Sequence, residues 1–217
     1  MKTSIIKGSI LFILFLVVLL SVLLLYQPFK NKLPVYNPTD VNTDLVDASL
    51  QSSTESHIVS DFELINQNGR TITQDDYKAK IYVADFFFTS CSTICPIMTN
   101  NMVKIQNEFL NDDDIMLLSL SVTPTIDSIP KLREYAYDKG VIDSKWNITT
   151  GDKKHIYKLA RKSYFATTDE GDGGLQDFIH TSNFILVDKK KQIRGIYNGL
   201  DNKEILRLIA DIKILNN

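Results

Sequence analysis

A hydrophobic run that breaks off at a cysteine-bearing loop constrains the fold of this chain more than any other feature. Residues 82–88 form a β-rich run, typical of a strand that is buried on both faces of a sheet. Thr89 and Ser90 end this run, and Pro96 suits a first helical turn because its missing N–H is not needed there. Apolar residues then recur at helical spacing, at Met98, Met102, Ile105 and Phe109. The sequence therefore predicts a strand, a loop and a helix in direct succession.

The only two cysteines of the chain stand between this strand and this helix. Cys91 falls in the predicted loop, and Cys95 falls at the start of the predicted helix. A helix N-terminus offers free N–H groups and the positive end of the helix dipole, and both favour a thiolate over a thiol. Two soft donors therefore face the same small volume, and we expect them to carry the chemistry of the protein.

The spacing of the cysteines separates several kinds of site. Structural zinc is disfavoured because it needs four ligands, and this chain has two cysteines and three histidines. A thioredoxin-type motif has two residues between its cysteines, and here there are three. A helical i, i+4 pair brings two Cα atoms to about 6 Å, which permits a disulfide. The spacing also leaves room for a metal, and two thiolates with one imidazole would suit copper in either oxidation state.

Three histidines are candidates for such an imidazole. His57 falls in a Ser/Thr-rich linker, where we expect a solvated residue without a role. His155 stands among lysines and is predicted to lie on the exposed face of a helix. His180 follows a Gly/Asp-rich loop and precedes a hydrophobic run, so the loop can carry it to a site at the edge of a sheet. From spacing alone, a capping or exposed histidine is the simpler interpretation of His180.

Three features taken in order along the chain resemble one known family. They are the Cys91-x-x-x-Cys95-Pro96 motif after an aromatic strand, the run from Trp146 to Gly151, and a histidine ahead of a strand that ends in a Val187-Asp188-Lys189 turn. The pattern resembles the Sco/SenC family, membrane-anchored thioredoxin-fold proteins that carry copper to cytochrome c oxidase, and it runs from about Ile58 to the C-terminus. The resemblance implies that Cys91, Cys95 and His180 bind one copper ion, Cu(I) or Cu(II).

Three positions depart from that family. Ser92 replaces a proline that many members have after the first cysteine, and we expect copper binding to survive this change. Ile179 stands where members often have an aspartate, with Asp177 two positions further back, so no carboxylate role is predicted beside His180. Thr123 replaces the aspartate of the usual Asp-Pro pair, and only turn chemistry is expected of it.

An uncharged apolar stretch near the N-terminus predicts a membrane anchor. Residues 8–26 are almost wholly Leu, Ile, Val and Phe, and about 20 such residues span a bilayer. No small-x-small cleavage site follows Tyr26, which favours an uncleaved anchor over a signal peptide. Lysines flank both ends almost equally, so orientation follows from the short N-terminal tail and the large C-terminal portion. We expect a single-pass protein of a bacterial-type inner membrane, with its domain in the periplasm.

The rest of the chain predicts one domain on a tether. Residues 1–33 form the anchor and residues 34–58 a polar linker, although apolar residues such as Tyr36 allow part of the linker to dock. Residues 59–217 suffice for one domain with a real core. Alternating β and α elements predict an α/β, thioredoxin-like mixed sheet with helices on both faces. The predicted elements are a hairpin over 61–72, strands over 82–88, 115–122, 183–187 and 193–197 and near Trp146, and helices from Pro96 and over 128–139, 152–163 and 203–210.

Charge and resemblance together indicate the partners. The formal net charge is −2, and residues 1–33 hold four lysines and no acid, so the remainder is more acidic, which argues against nucleic acid. The resemblance implies a copper chaperone, not a turnover enzyme, that serves the oxidase subunit carrying the CuA centre. Its thiols must be kept reduced, which implies a thiol reductant as a second partner.

Two further functions stay open for the same cysteine pair. A thiol-disulfide oxidoreductase would use one thiolate to attack an acceptor disulfide and the other to resolve the mixed disulfide. That activity needs Cys91 and Cys95 but not His180, whereas copper binding uses all three. A redox sensor is a weaker alternative because the sequence contains no output module.

Overall fold

The computed structural model describes residues 12–22, 33–41, 56–167, 171, 173–174 and 176–216. The chain forms two compact units, Met1–Lys32 and Leu33–Asn217. In the first unit, residues 12–22 are helical with exposed side chains. Within the described parts of the chain, no helix is both long enough and apolar enough to cross a membrane. The flanks of the predicted span 8–26 lie outside the described residues.

The second unit follows the predicted order of strands and helices. Its strands are β1 (Glu63–Asn66), β2 (Thr71–Thr73), β3 (Ile81–Phe87), β4 (Ile115–Ser121), β5 (Trp146–Thr150), β6 (Asn183–Val187) and β7 (Ile193–Asn198). Its α-helices are α1 (Cys95–Glu108), α2 (Ile129–Asp138), α3 (Lys153–Lys158) and α4 (Asn202–Asn216). A π-helix, Leu159–Ser163, continues α3, and 3-10 turns lie at Pro38–Asp40 and Gln74–Tyr77. The π-helix and the 3-10 turns were not predicted.

The strands form one mixed sheet in the order β2-β1-β5-β4-β3-β6-β7. Strands β3, β4 and β5 are parallel, and the other neighbours pair antiparallel. Because β6 runs against β3, the segment that precedes β6 lies at the same edge of the sheet as the loop that follows β3. The topology therefore brings the cysteine loop and the segment of His180 to one edge, which we call the carboxyl edge.

Both faces of the sheet are covered by apolar side chains. All seven residues of β3 are buried, as the sequence predicted. Tyr82, Ala84 and Phe86 point into one cluster, which α3 covers. The opposite cluster takes residues from α1, α2 and α4, and both Met98 and Met102 are fully buried in it. The mixed α/β plan with helices on both faces is thus confirmed.

Part of the predicted linker packs on the domain. The backbone N–H of Tyr36 donates to the carbonyl of Ile193 at 2.9 Å, as expected for a docked apolar residue. His57 is half-buried, its Nε2 lies 2.8 Å from the Ser163 carbonyl oxygen, and its ring centroid is 4.3 Å from that of Phe165. Burial lowers the pKa of His57. The prediction of a solvated His57 is therefore wrong, because this part of the chain runs along the domain.

Candidate metal and dithiol site

A buried carboxylate fastens the chain just ahead of the cysteine loop. Asp127 is fully buried and accepts hydrogen bonds from the Thr89 N–H at 3.2 Å and the Thr89 hydroxyl at 2.5 Å. The hydroxyls of Ser121 and Thr123 also donate to it, at 2.6 and 3.0 Å. Several donors compensate the cost of burying a carboxyl group. The ends of β3 and β4 are thereby joined two residues before Cys91.

Sequence reasoning missed Asp127. A signal was present, since hydroxyl residues stand at the ends of both buried strands, at Thr89 and at Ser121. Thr123 forms the expected turn, in which its carbonyl accepts from the N–H groups of Ile126 and Asp127 at 2.8 and 2.9 Å. Its hydroxyl adds the contact to Asp127 that the sequence did not reveal.

The start of α1 brings the two cysteines together. Both are free thiols, and Cys91 is half-buried while Cys95 is buried. The backbone N–H of Cys95 points at the Sγ of Cys91 at 3.5 Å, and the Thr93 hydroxyl oxygen lies 3.6 Å from the same sulfur. Cys95 is the first residue of α1, with Pro96 in the first turn as predicted. The free N–H at the helix N-terminus is thus directed at a sulfur.

The two thiols differ in their proton affinity. Burial tends to raise the pKa of Cys91, but hydrogen bonds from Cys95 and Thr93 outweigh it and lower the pKa to about 7. Burial raises the pKa of Cys95 to about 12, and the neighbouring Cys91 and the Asp85 carboxyl add to the increase. At neutral pH the site therefore combines an accessible thiol that is substantially ionised with a buried, protonated thiol.

Asp85 is a second buried carboxyl that sequence reasoning missed. It lies on β3, and the Ser119 hydroxyl donates to it while accepting from Nε1 of Trp146 at 2.9 Å. Burial raises the pKa of Asp85 to about 7, although the hydrogen bond from Ser119 opposes the shift. An acid close to half-protonation at neutral pH thus lies near enough to Cys95 to influence its proton.

His180 is exposed on a segment that is held at both sides. Ile179 is buried, and its N–H faces the Tyr157 hydroxyl at 3.4 Å. The Thr181 hydroxyl donates to the Ala166 carbonyl at 2.5 Å. The ring of Phe178 meets that of Phe88 edge-on, with centroids 5.3 Å apart. Because Phe88 directly precedes the cysteine loop, this contact places the segment of His180 beside the start of that loop.

The structure pairs the two cysteines but does not group His180 with them. Among the described residues, no three His, Cys, Asp or Glu side chains are gathered in a way that could hold a metal ion. Asp177 commits both carboxylate oxygens to Arg161, at 2.7 and 2.8 Å. His155 lies on α3 and is half-buried, whereas the sequence predicted an exposed side chain.

Comparison with known proteins identifies the family. The model of the SCO1/SenC family matches residues 50–215. The chain belongs to the SCO1/SenC family. The SCO1 protein homolog of Bacillus subtilis is 32% identical over 157 residues, which cover 71% of this chain and 81% of that protein. The family predicted from the cysteine motif and the distal histidine is therefore confirmed.

Two solved SCO1/SenC structures share the fold. BsSco, described as a member of the Sco family of cytochrome c oxidase assembly proteins with a disulfide switch, is 31% identical with a TM-score of 0.63. The match covers 74% of this chain and 94% of the BsSco chain. ScoI of Bradyrhizobium japonicum, solved with copper bound, is 23% identical with a TM-score of 0.59. This match covers 73% of this chain and 99% of the ScoI chain. The thioredoxin-like sheet flanked by helices is common to these SCO1/SenC proteins.

Proposed function

We propose that this SCO1/SenC protein is a membrane-anchored copper chaperone that delivers copper to the CuA centre of cytochrome c oxidase. The observation that carries the proposal is the reduced pair at the start of α1, where the Cys95 N–H stabilises the sulfur of Cys91. Soft thiolates select Cu(I), and an imidazole also accommodates Cu(II). Cys91 and Cys95 bind one copper ion, and His180 joins them from the neighbouring segment.

Proton release accompanies the binding of this cargo. A substantial fraction of Cys91 is ionised at neutral pH, so copper meets a ready ligand, whereas Cys95 must lose its proton as the metal binds. Transfer then proceeds by ligand exchange, in which acceptor cysteines replace Cys91 and Cys95 in turn. An oxidising periplasm would close the pair into a disulfide, so a thiol reductant is part of the proposed cycle.

Anchoring is the second part of the proposal. Residues 8–26 have the length and apolar character of a bilayer span, and the described helix over 12–22 exposes apolar side chains such as Phe12 and Leu14. We place the domain on the periplasmic side of a bacterial-type inner membrane. Carbonate extraction of membranes, followed by protease treatment of spheroplasts, tests both statements. Release by carbonate, or protection from the external protease, would contradict them.

Copper titration of the reduced full chain in detergent, under anaerobic conditions, tests the cargo. We expect one copper per chain, with the affinity for Cu(II) strongly weakened in His180→Ala. Little copper in both proteins would overturn the chaperone function. Equal affinity in both would remove His180 from the site and leave the cysteines as the ligands.

A second function is favoured by the unequal proton affinities of the two cysteines. If the protein acts as a thiol-disulfide oxidoreductase, Cys91 attacks an acceptor disulfide and forms a mixed disulfide, which releases one acceptor thiolate. Cys95 then loses its proton and attacks the Cys91 sulfur, which releases the second acceptor thiolate. The acceptor gains two electrons, and the Cys91–Cys95 disulfide stores the oxidation. Turnover of a model disulfide that survives in His180→Ala would support this function.

A further inference from the structure

One face of α3 and its π-helical continuation grips the segment that leads to His180. Lys153, Tyr157 and Arg161 stand four residues apart and so share a face of the helix. The Lys153 ammonium and the Arg161 guanidinium lie 4.9 and 5.3 Å from the centroid of the Tyr157 ring. We call these three residues the α3 stripe. Each of them also contacts Asp177.

Arg161 makes the strongest of these contacts. Its guanidinium donates to both carboxylate oxygens of Asp177, at 2.7 and 2.8 Å, and the two side chains are only 10% and 7% exposed. The N–H of Gly173 donates to the same carboxylate at 2.7 Å. A bidentate pair fixes direction as well as distance. Asp177 is therefore held in one orientation, three residues before His180.

The other two members of the stripe hold the backbone. The ammonium of Lys153 donates to the carbonyls of Gly174 and Asp177, at 2.6 and 2.7 Å. The Tyr157 hydroxyl lies 2.9 Å from the Val122 carbonyl oxygen and 3.2 Å from that of Asp177. Val122 directly follows β4, so the stripe ties this segment to the carboxyl edge of the sheet.

The helix departs from regular geometry at the turn that carries Arg161. The N–H of Tyr164 bonds to the carbonyl of Leu159 at 2.8 Å, which closes a π-turn. Phe165 then has a φ of 49°, a left-handed value that is rare for a bulky side chain. Such departures persist where the surrounding contacts over-determine them, and they are frequent at functional sites. Here the irregular turn accompanies the grip on Asp177.

We propose that the α3 stripe, acting through Asp177, positions His180 and so decides whether copper is held by two sulfurs alone or by two sulfurs and an imidazole. Asp177 and His180 are separated by two residues that both contact the domain. Phe178 packs against Phe88, and Ile179 is buried. The inference rests on the proposed function, in which copper is the cargo. The stripe contains positioning residues, not ligands.

Arg161→Gln in the full-length reduced protein tests the proposal. With one equivalent of Cu(II), we expect the imidazole nitrogen coupling in the electron paramagnetic resonance spectrum to be lost and the Cu(II) affinity to fall about 10-fold or more, as for other residues that orient a ligand. With Cu(I), which the two thiolates dominate, the affinity should change little. Unchanged nitrogen coupling and Cu(II) affinity in Arg161→Gln would overturn the proposal.

The chain offers a matched control at the opposite end of β6. Arg194 pairs with Asp188 at 2.7 Å, and the two side chains are 14% and 9% exposed. Arg194→Gln therefore removes an ion pair of similar length and burial, far from the cysteine loop. We expect it to keep the nitrogen coupling of the wild type. Loss of the nitrogen coupling in both variants would mean that general destabilisation causes the effect, and it would overturn the proposal.

Two further measurements keep the test decisive. If Arg161→Gln does not fold, Gly171→Ala replaces it, because a Cβ at Gly171 would collide with the Asp177 carboxylate. If the wild type binds no copper, the proposed function fails, and amide hydrogen exchange of the metal-free protein decides on the stripe. Faster exchange over residues 176–182 in Arg161→Gln, but not in Arg194→Gln, supports positioning. Equal exchange overturns it.

Discussion

Two regions meet at the carboxyl edge of the sheet, and they are held in different ways. The cysteine loop lies between two regular elements, since β3 ends before it and α1 begins four residues after Cys91, and one buried side chain, Asp127, joins the ends of β3 and β4 ahead of it. The segment of His180 has no regular structure, and side chains that reach over from α3 hold it. The dithiol is thus set by the fold, and the imidazole by a few side-chain contacts.

This difference suits the proposed function, in which the protein both binds and releases copper. A donor fixed by strand and helix geometry stays in place during transfer, whereas a donor on a segment held by side chains can move when a few contacts change. The predictions that follow test the two halves of this comparison.

The largest effect is expected where the dithiol itself is broken. Cys91→Ser or Cys95→Ser should abolish tight copper binding, because one remaining thiolate cannot replace a two-sulfur site. Competition titration with a Cu(I) chelator measures the loss, and His155→Ala, a histidine outside the site, serves as the control with full binding. Stoichiometric copper in either serine variant would refute the site.

The second prediction concerns the inequality of the two sulfurs. Only thiolates react readily with iodoacetamide, and the thiolate fraction falls about tenfold for each pH unit below the pKa. The alkylation rate of Cys91 should therefore rise with pH and level off above its pKa of about 7, while Cys95, with a pKa of about 12, stays protonated and slow. Mass spectrometry of timed, quenched samples separates the two sites. Equal rates at pH 7.5 would be inconsistent with the helix start acting on one sulfur.

The third prediction concerns Asp127, whose hydrogen bonds join the ends of β3 and β4 ahead of the cysteine loop. Asp127→Ala leaves donors from Thr89, Ser121 and Thr123 without their acceptor, and buried donors left unsatisfied cost about 1–3 kcal/mol. Because several donors lose the same acceptor, urea unfolding should show a loss of at least this size, together with a changed alkylation profile of Cys91. Amide exchange over residues 176–182 should stay close to wild type, because the α3 stripe remains. An altered segment with an unchanged Cys91 would reverse the comparison.

The sequence predicted the cysteine loop better than the segment of His180, for a physical reason. Periodicity, the buried run of β3 and Pro96 are local signals, and they located the junction within one residue. The ion pair between Arg161 and Asp177 joins side chains 16 positions apart, and no local sequence pattern predicts such a contact. The family resemblance, not the spacing, singled out His180.

The remaining misses have the same origin. Asp85 falls within the predicted buried strand, but a strand pattern does not reveal that its carboxyl accepts from Ser119 and lies close enough to Cys95 to raise the pKa of that thiol. His57 was assigned to a solvated linker because its neighbours are Ser and Thr, yet its partner Ser163 lies 106 positions away. Each case depends on tertiary contacts that composition does not encode.

The last prediction compares how two carboxyl groups, Asp85 on β3 and Asp177 ahead of His180, make stability depend on pH. Burial raises the pKa of Asp85 to about 7, although the hydrogen bond from the Ser119 hydroxyl opposes the shift. Burial would also raise the pKa of Asp177, but the hydrogen bonds from Arg161 and Gly173 overcome it and lower the pKa. The two groups therefore link folding to pH with opposite signs.

A raised carboxyl pKa means that the folded state binds more protons than the unfolded state, so Asp85 lowers stability as the pH rises from about 4 to 7, by up to about 1.4 kcal/mol per pH unit. Asp177 stabilises the fold above its unfolded pKa, and that contribution is lost as the pH falls through its lower folded value. Urea unfolding from pH 3 to 8 should show a flatter decline between pH 4 and 7 in Asp85→Asn, and a weaker acid-side loss in Asp177→Asn. Identical slopes in wild type and Asp85→Asn would mean that the carboxyl beneath the dithiol is not held as its burial indicates.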